Sequence, residues 1–308
     1  MSAKSDHLAR GLWGVLATPF TAGGAQVDHD SLRAQVQLYV DLGAAGVVAL
    51  GVFGEGAALD SAEQYAVVRT VCAQAPGLPV VGGISALASA PAIEQARTVA
   101  AAAGDQLAAV MVQVNSANPE TAAAHLAGVQ RSVDVPIVVQ DYPVASGVRI
   151  STAALTEVTR EVSRVAAVKS EAPPTAAAIA ELGAATDVPI FGGLGGTGLL
   201  DELAAGAAGV MTGFSHPEGL RAVLDAWAHT GSTGARAEFQ PWLPLVNFEA
   251  QPGIGLALRK EVLHQRGLLA DAAVRAPNRP LPEVLRPLLN DHVAAVAPLV
   301  AGAQEPTD

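Results

Sequence analysis

The sequence predicts a parallel (β/α)8 barrel, in which eight strands close into a cylinder and helices cover its outer side. Half of the 308 residues are apolar and 15% are charged, a composition that suits one large buried core. Short apolar runs alternate eight times with longer, alanine-rich segments, as in a chain of strand–helix units. The turn after the first run, Thr18–Pro19–Phe20, lacks the glycine pattern of an open dinucleotide-binding sheet.

The apolar runs have the length and the branched side chains that are typical of strands buried on both faces. We expect strands at Leu12–Thr18, Gly46–Gly51, Pro79–Gly83, Ala108–Val114, Pro136–Gln140, Val165–Lys169, Pro189–Gly193 and Gly209–Gly213. We expect helices at Asp28–Leu42, Ser61–Ala75, Ser89–Ala103, Pro119–Ser132, Ser151–Val162, Pro174–Ala185, Thr197–Ala205 and Pro217–His229. Ser61 with Gln64 resembles a capping box at the start of the second helix.

After residue 229 the alternation stops. Helices are expected at Ala235–Val246, Ile254–Arg266 and Pro282–Leu299, with no strand between them. We therefore divide the chain into a barrel, residues 1–229, and a C-terminal helical extension, residues 230–308. The extension is expected to support an oligomer or to form one wall of the site.

The charge of the chain excludes several classes of partner. Its formal net charge is −11, so neither nucleic acid nor an anionic membrane surface is expected to bind it. The first ten residues are polar and no apolar run is long enough to span a bilayer, which favours a cytoplasmic protein. Cys72 is the only cysteine and is expected to be a buried structural thiol. The histidines fall mostly on the expected helices or at their ends, and no set of His, Asp and Glu converges, so we predict no metal site. No cofactor is expected either.

In this fold the active site lies at the carboxyl ends of the strands, and there one residue stands out. The chain has three lysines, Lys4, Lys169 and Lys260. Lys4 lies in the N-terminal tail, and Lys260 lies in a polar patch of a late helix. Lys169 instead ends an apolar strand, where partial burial disfavours the charged amine. A neutral amine can attack a carbonyl to form an imine. The alternative role for Lys169 is an ion pair with Glu171 or Glu55 at the rim.

Two glycine-rich loops follow strands and are candidates for binding substrate. Backbone N–H groups of Gly51–Val52–Phe53–Gly54–Glu55 can approach a carboxylate, although the same glycines suit a tight turn. The loop Gly192–Gly196 contains Gly193 and has no lysine or arginine near it in sequence. We therefore expect this second loop to pack closely or to contact a neutral hydroxylated group. Thr212 ends the eighth strand and is a further candidate for binding.

These residues resemble the dihydrodipicolinate synthase and N-acetylneuraminate lyase superfamily of Schiff-base barrels over nearly the whole chain. Thr18–Pro19–Phe20 resembles its N-terminal signature. Gly51 to Glu55 matches its Gly-x-x-Gly-Glu loop, which holds the substrate carboxylate. Lys169 with Glu171 matches the Lys-x-Glu end of its sixth strand, where the family has its imine lysine. The resemblance implies a small 2-oxo acid as substrate and a homotetramer.

The departures from the family are specific. Val52 and Phe53 stand where synthases and typical aldolases have two threonines, and Gln140 stands at the position of the family tyrosine. The synthesis of dihydrodipicolinate is therefore not expected. Tyr142 and Glu171 are the alternative acid/base candidates, Gln140 and Glu55 are expected to orient other groups, and Phe53 is expected to line the mouth of the site.

The stretches Val139–Pro143 and Lys169–Thr175 are similar to a branch that dehydrates 2-keto-3-deoxy sugar acids. Three functions are left open. The first is such a dehydratase, the second is an aldolase that forms or cleaves a 2-oxo acid, and the third is a regulatory relative that binds a small acid.

Overall fold

The computed structural model describes residues 6–302, and its strands form a closed barrel of eight parallel strands in sequence order. The barrel closes where β1 pairs with β8, with Gly11 opposite Gly209 and Gly14 opposite Thr212. The predicted fold class is therefore confirmed. The strands are β1 (Gly11–Val15), β2 (Gly46–Ala49), β3 (Val80–Ile84), β4 (Leu107–Gln113), β5 (Ile137–Asp141), β6 (Val165–Ser170), β7 (Ile190–Gly192) and β8 (Gly209–Thr212).

The helices follow the strands as expected, with one short addition after β5. They are α1 (His29–Asp41), α2 (Ser61–Gln74), α3 (Ser89–Ala103), α4 (Pro119–Val133), α5 (Pro143–Ser146), α6 (Thr152–Glu161), α7 (Thr175–Ala185), α8 (Leu199–Ala204), α9 (Pro217–Phe239), α10 (Leu243–Glu249), α11 (Gly255–Gln265) and α12 (Arg286–Gly302). Among the described residues, none of these helices is both long and apolar enough to cross a membrane.

The capping box predicted for α2 is one residue off. Asp60 is the N-cap, its side chain accepts from the backbone N–H of Glu63, and the Glu63 side chain accepts from the backbone N–H of Asp60. Gln64 is instead buried and donates to the carbonyl oxygens of Gly56 and Leu59. Aspartate caps as well as serine does, so the sequence pattern fits both registers.

The core has two layers. Inside the barrel, large side chains such as Trp13, Met111 and Phe191 fill the cylinder, as expected for a barrel that is packed and not a pore. A β-carbon at Gly46 would overlap Trp13, so this glycine makes room for the indole. The second layer lies between strands and helices. It contains Cys72, which is buried and unpaired as predicted.

The extension differs from the expected helix over Ala235–Val246. In the structure α9 continues to Phe239, a 3-10 turn covers Gln240–Trp242, and α10 follows. Pro241 lies within that turn and lacks the N–H that a continuous helix needs, which explains the break. Residue 229 lies inside α9, and Gly231, with φ 69° and ψ −160°, interrupts that helix soon after. The division into barrel and extension stays a prediction.

Candidate active site

A cavity of about 420 Å³ opens at the carboxyl ends of the strands, and Lys169 lines it. Its wall also includes six of the predicted site residues: Val52, Phe53, Gln140, Tyr142, Glu171 and Thr212. A larger cavity, about 630 Å³, lies at the opposite end of the barrel, around the residues that precede β3 to β6. Because catalytic groups of this fold come from the carboxyl ends of strands, we assign the candidate site to the first cavity.

Lys169 is held in the barrel wall by β6. It pairs in register with Gln140 of β5 on one side and with Phe191 of β7 on the other. Its side chain is buried, and its Nζ lies 3.2 Å from Oε2 of Glu171. The ion pair considered for Lys169 is therefore formed with Glu171 and not with Glu55. It places a carboxylate within reach of the amine proton.

The Glu171 carboxylate is fixed by three groups. Besides Lys169, the Gln140 amide donates to Oε2 at 2.7 Å, and the backbone N–H of Leu194 donates to Oε1 at 3.3 Å. A β-carbon at Gly193 would overlap this carboxylate. Gly193 thus acts through close approach and does not itself line the cavity. The next residue, Leu194, has a φ of 47°, a conformation that an L-residue adopts only when its surroundings impose it.

The loop after β2 lies between two cavities. Val52 and Gln140 line both the main cavity and a smaller one of about 220 Å³, whereas Gly51 and Glu55 line only the smaller one. Gly54 lines neither; its carbonyl oxygen accepts a hydrogen bond from the Thr18 hydroxyl at 2.5 Å. The residues of this loop therefore lie near the site, but they line different cavities and Gly54 lines neither.

Glu55 is anchored by the extension. It forms an ion pair with Lys260, in which both side chains are fully buried. Its Oε1 accepts from the backbone N–H of Arg275 at 2.8 Å and from the Asn278 amide at 3.2 Å. Lys260 was expected in a polar patch, and that expectation is wrong. Its Nζ donates to the carbonyl oxygen of Ala273 at 2.8 Å and lies within the core of the molecule.

Arg259 was not among the site residues predicted from the sequence. No lysine or arginine was expected near the loop Gly192–Gly196, but a β-carbon at Gly195 would overlap the Arg259 guanidinium. The same guanidinium lies over the ring of Phe53, 5.5 Å from its centroid, and lines the cavity. Arg259 comes from α11, so no local pattern in the loop could reveal it. Thr212 completes this side, because its hydroxyl accepts from the backbone N–H of Gly195 at 2.9 Å.

Burial changes the acidity of several groups around the site. Burial raises the pKa of Tyr142, and the Glu171 carboxylate raises it further, so this phenol stays protonated at neutral pH. Burial also raises the pKa of Asp141 to about 6 and of Glu202 to about 7, despite the hydrogen bond from Thr175 to Glu202. A site with several proton-holding groups suits acid/base chemistry.

The side chains of the described residues do not favour metal binding. Across residues 6–302, no group of three or more His, Cys, Asp or Glu side chains lies close enough together to hold a metal ion. The polar groups at the cavity are instead an amine, carboxylates, amides, a phenol and a guanidinium.

Comparison with known proteins agrees with the resemblance seen in the motifs. Residues 8–296 match the dihydrodipicolinate synthetase family. The chain is 32% identical to the L-2-keto-3-deoxyarabonate dehydratase of Azospirillum brasilense over 310 residues, which covers 96% of each protein. It is 31% identical to the 4-hydroxy-tetrahydrodipicolinate synthase of Kineococcus radiotolerans over 285 residues, covering 92% of this chain and 89% of that one.

Comparison with solved structures also finds a protein of this family. The dihydrodipicolinate synthase of Rhodopseudomonas palustris superimposes with a TM-score of 0.86 at 30% identity, covering 93% of this chain and 97% of the other. The family resemblance and the prediction of a lyase are confirmed. With its closed barrel and a match over residues 8–296, the chain belongs to the dihydrodipicolinate synthetase family and is a lyase of that family.

Proposed function

We propose that this enzyme dehydrates a 2-keto-3-deoxy sugar acid while Lys169 holds the substrate as an imine. The observation that carries the proposal is a buried amine at the end of β6, 3.2 Å from a carboxylate, in the wall of a cavity of about 420 Å³. Within residues 6–302 the other lysine, Lys260, is fully buried against Glu55 and does not line this cavity. The Azospirillum relative, named for a dehydratase of this class, supports the choice of reaction.

The first step is imine formation. Glu171 accepts a proton from the Lys169 ammonium, and the neutral amine attacks the C2 carbonyl of the substrate. Glu171 returns this proton to the hydroxyl of the adduct, which leaves as water, so that a protonated imine forms and Glu171 is again a carboxylate. We assign the C1 carboxylate to the backbone N–H groups of Val52 and Phe53, which line the cavity and whose side chains offer no hydroxyl. Gln140 holds Glu171 through its 2.7 Å hydrogen bond and cannot itself exchange a proton usefully.

The second step is elimination. The imine withdraws electrons from C3, so Glu171 can remove a C3 proton, and the C4 hydroxyl leaves as water after accepting a proton from Tyr142. A double bond forms between C3 and C4. Where C5 bears a hydroxyl, transfer of a proton from C5 to C3 then gives an enol between C4 and C5, which becomes an aldehyde when the proton of its hydroxyl moves to C4. Hydrolysis of the imine releases a 2,5-dioxo acid and restores the Lys169 amine. In an aldolase, the C3–C4 bond would break instead.

The structure of the loops favours dehydration over the reaction of the synthases. Val52 and Phe53 replace hydroxyl-bearing residues with apolar ones, and both line the cavity. A proton relay through side chains of this loop is therefore absent. We also propose that the extension, residues 230–308, forms one wall of the site, because Glu249 and Arg259 line the same cavity. The homotetramer and the cytoplasmic location stay predictions.

The test is borohydride reduction with a panel of 2-oxo acids, followed by mass spectrometry of the peptides. We expect the modified residue to be Lys169, and a 2,5-dioxo product without chain cleavage to accumulate from 2-keto-3-deoxyarabonate. Release of pyruvate from the native substrate would instead identify an aldolase. Saturable binding without trapping or turnover would identify a regulatory protein. Full turnover by Lys169→Arg would overturn the imine, because arginine stays protonated and cannot form it.

A further inference from the structure

Arg259 is a cation in the cavity wall that the proposed chemistry does not use. Its side chain is 13% exposed, and its Nε lies 3.3 Å from Oε2 of Glu249. Within residues 6–302 this ion-pair contact is made without a well-formed hydrogen bond at the buried Nε. A guanidinium carries five N–H donors. At this position, donors remain available to a ligand in the cavity.

The guanidinium is held in place from three sides. Glu249 is fully buried and is itself fixed, because the Ser215 hydroxyl and the Ser215 backbone N–H, at 3.3 Å, donate to its carboxylate. Phe53 lies beneath the planar group, and Gly195 lacks the β-carbon that would displace it. A planar fork held in this way is pre-organised, so it loses little conformational freedom when it binds a ligand.

The charges around Arg259 indicate which ligand group it fits. Burial raises the pKa of Glu249 to about 7, so at pH 8 its carboxylate neutralises the guanidinium, and the Glu171 carboxylate neutralises Lys169. A second anionic group on the substrate would meet both carboxylates in a cavity with partly apolar walls. A hydroxyl group fits better, since its oxygen accepts from Arg259 and its proton can be donated to a carboxylate. The C1 carboxylate, in turn, has the backbone N–H groups of Val52 and Phe53.

We propose that Arg259, fixed by Glu249, binds the hydroxyl-bearing tail of the 2-oxo acid and thereby selects substrates whose tail is uncharged and hydroxylated. This inference rests on the proposed function, because it takes the imine at Lys169 as the other end of the substrate. It adds a determinant of specificity that comes from the extension and not from the barrel.

The experiment measures how Arg259→Lys changes the preference among three 2-oxo acids at pH 8. The readout is the concentration that gives half-maximal borohydride trapping of pyruvate, which has no tail, of 2-keto-3-deoxyarabonate, and of 2-oxoglutarate, which has a second carboxylate. Lysine keeps the charge beside Glu249 but loses the fork. We expect the half-saturating concentration of the hydroxylated acid, relative to pyruvate, to rise about 10- to 100-fold, as for the loss of a hydrogen bond to a charged group.

Controls separate binding from folding. Arg97→Lys makes the same change at an exposed pair with Glu94 on α3, where neither residue lines the cavity, and should leave the ratio unchanged. If Arg259→Lys does not fold, the double variant Arg259→Met with Glu249→Gln removes both charges of the pair together. The same rise in the ratio is then expected.

Each outcome is decisive. If the half-saturating concentrations of pyruvate and of the hydroxylated acid rise by the same factor, Arg259 binds the C1 carboxylate, and the inference is overturned. An unchanged ratio would also overturn it, as would native enzyme that prefers 2-oxoglutarate and loses that preference in the variant. In the first two cases trapping at Lys169 persists and the proposed function stands, whereas a native preference for 2-oxoglutarate would also contradict the proposed substrate class. Native enzyme that traps none of the three acids would overturn the proposed function and this inference with it.

Discussion

Replacing Lys260 with methionine should destabilise the enzyme and loosen the loop that we assign to the substrate carboxylate. Methionine keeps most of the apolar stem of lysine but removes the charge. The Glu55 carboxylate then stays fully buried without its ion-pair partner. It keeps the hydrogen bonds from the backbone N–H of Arg275, at 2.8 Å, and from Asn278, at 3.2 Å.

The size of the effect follows from this burial. Removing one partner of a buried ion pair costs about 3–5 kcal/mol, because the other charge is left uncompensated. The two remaining hydrogen bonds to Glu55 place the expected loss of unfolding free energy near the lower end, about 3 kcal/mol. The matched control is Arg97→Met, which breaks a pair whose side chains are 57% and 71% exposed. Such surface pairs contribute about 1 kcal/mol or less.

Urea unfolding of the native enzyme and both variants measures the difference in free energy. The same preparations, with excess 2-oxo acid, give the half-saturating concentration for borohydride trapping, which should rise in Lys260→Met because Glu55 ends the loop Gly51–Glu55. Adding Glu55→Gln to Lys260→Met should restore part of the stability, since no buried charge is then left alone. If Lys260→Met unfolds no more easily than Arg97→Met, the reasoning about this pair is refuted.

Four further predictions follow from the site and its surroundings. Glu171→Gln should lower kcat by about 10²- to 10⁴-fold, the usual range for a lost acid/base group, and a steady-state assay that finds kcat intact would exclude Glu171 as the base. Tyr142→Phe should still trap pyruvate at Lys169 but turn over slowly; rapid product release measured in single turnover would assign the acid elsewhere. Gly193→Ala should slow trapping, because its β-carbon would overlap the Glu171 carboxylate; an unchanged trapping rate would contradict this. Burial lowers the pKa of His216 to about 3 from 6.5, so between these values the unfolded chain holds a proton that the folded chain does not. Stability from neutral His216 is thus lost as the pH falls below 6.5, by about 3 kcal/mol at pH 4, and His216→Gln should flatten this part of the urea-unfolding profile; parallel profiles would refute it.

Three buried carboxyl groups change the stability with pH in the direction opposite to that of His216. The urea-unfolding profiles of the native enzyme and of His216→Gln are therefore compared by subtraction. Folding raises the pKa of Asp141 to about 6 and those of Glu202 and Glu249 to about 7. The folded chain therefore holds more protons on these groups than the unfolded chain does, and they stabilise it as the pH falls through 7 toward 4. Subtracting the profile of His216→Gln from that of the native enzyme removes their contribution.

The barrel was predictable because its signals are local. Each strand is a short run of buried branched side chains, and the family motif gives Lys169 its place at the end of the sixth strand. The residues at which helices begin and end were harder to predict. Asp60 and Ser61 are neighbours and both suit an N-cap, and Pro241 divides what reads as one helix over Ala235–Val246.

The partners of the site residues were less predictable because they come from distant parts of the chain. Lys260 stands between Arg259 and Glu261, and three consecutive charges are typical of a solvated helix face. In the structure each has a partner on another element. Lys260 pairs with Glu55, Arg259 with Glu249, and Glu261 with Arg286 at 2.7 Å. Periodicity indicates which face of a helix is apolar, but it does not indicate which charges will meet across the fold.

The scarcity of lysine has a practical consequence for labelling. Of the three lysines, Lys169 and Lys260 are buried, and Lys4 lies outside the described residues. An amine-directed reagent small enough to enter the cavity would therefore meet almost no competing lysine on residues 6–302 of the folded enzyme. Mass spectrometry of the peptide that contains Lys169 would separate its labelling from that of Lys4 and the α-amine, and the labelled fraction would report how much of the enzyme has an open, unoccupied cavity.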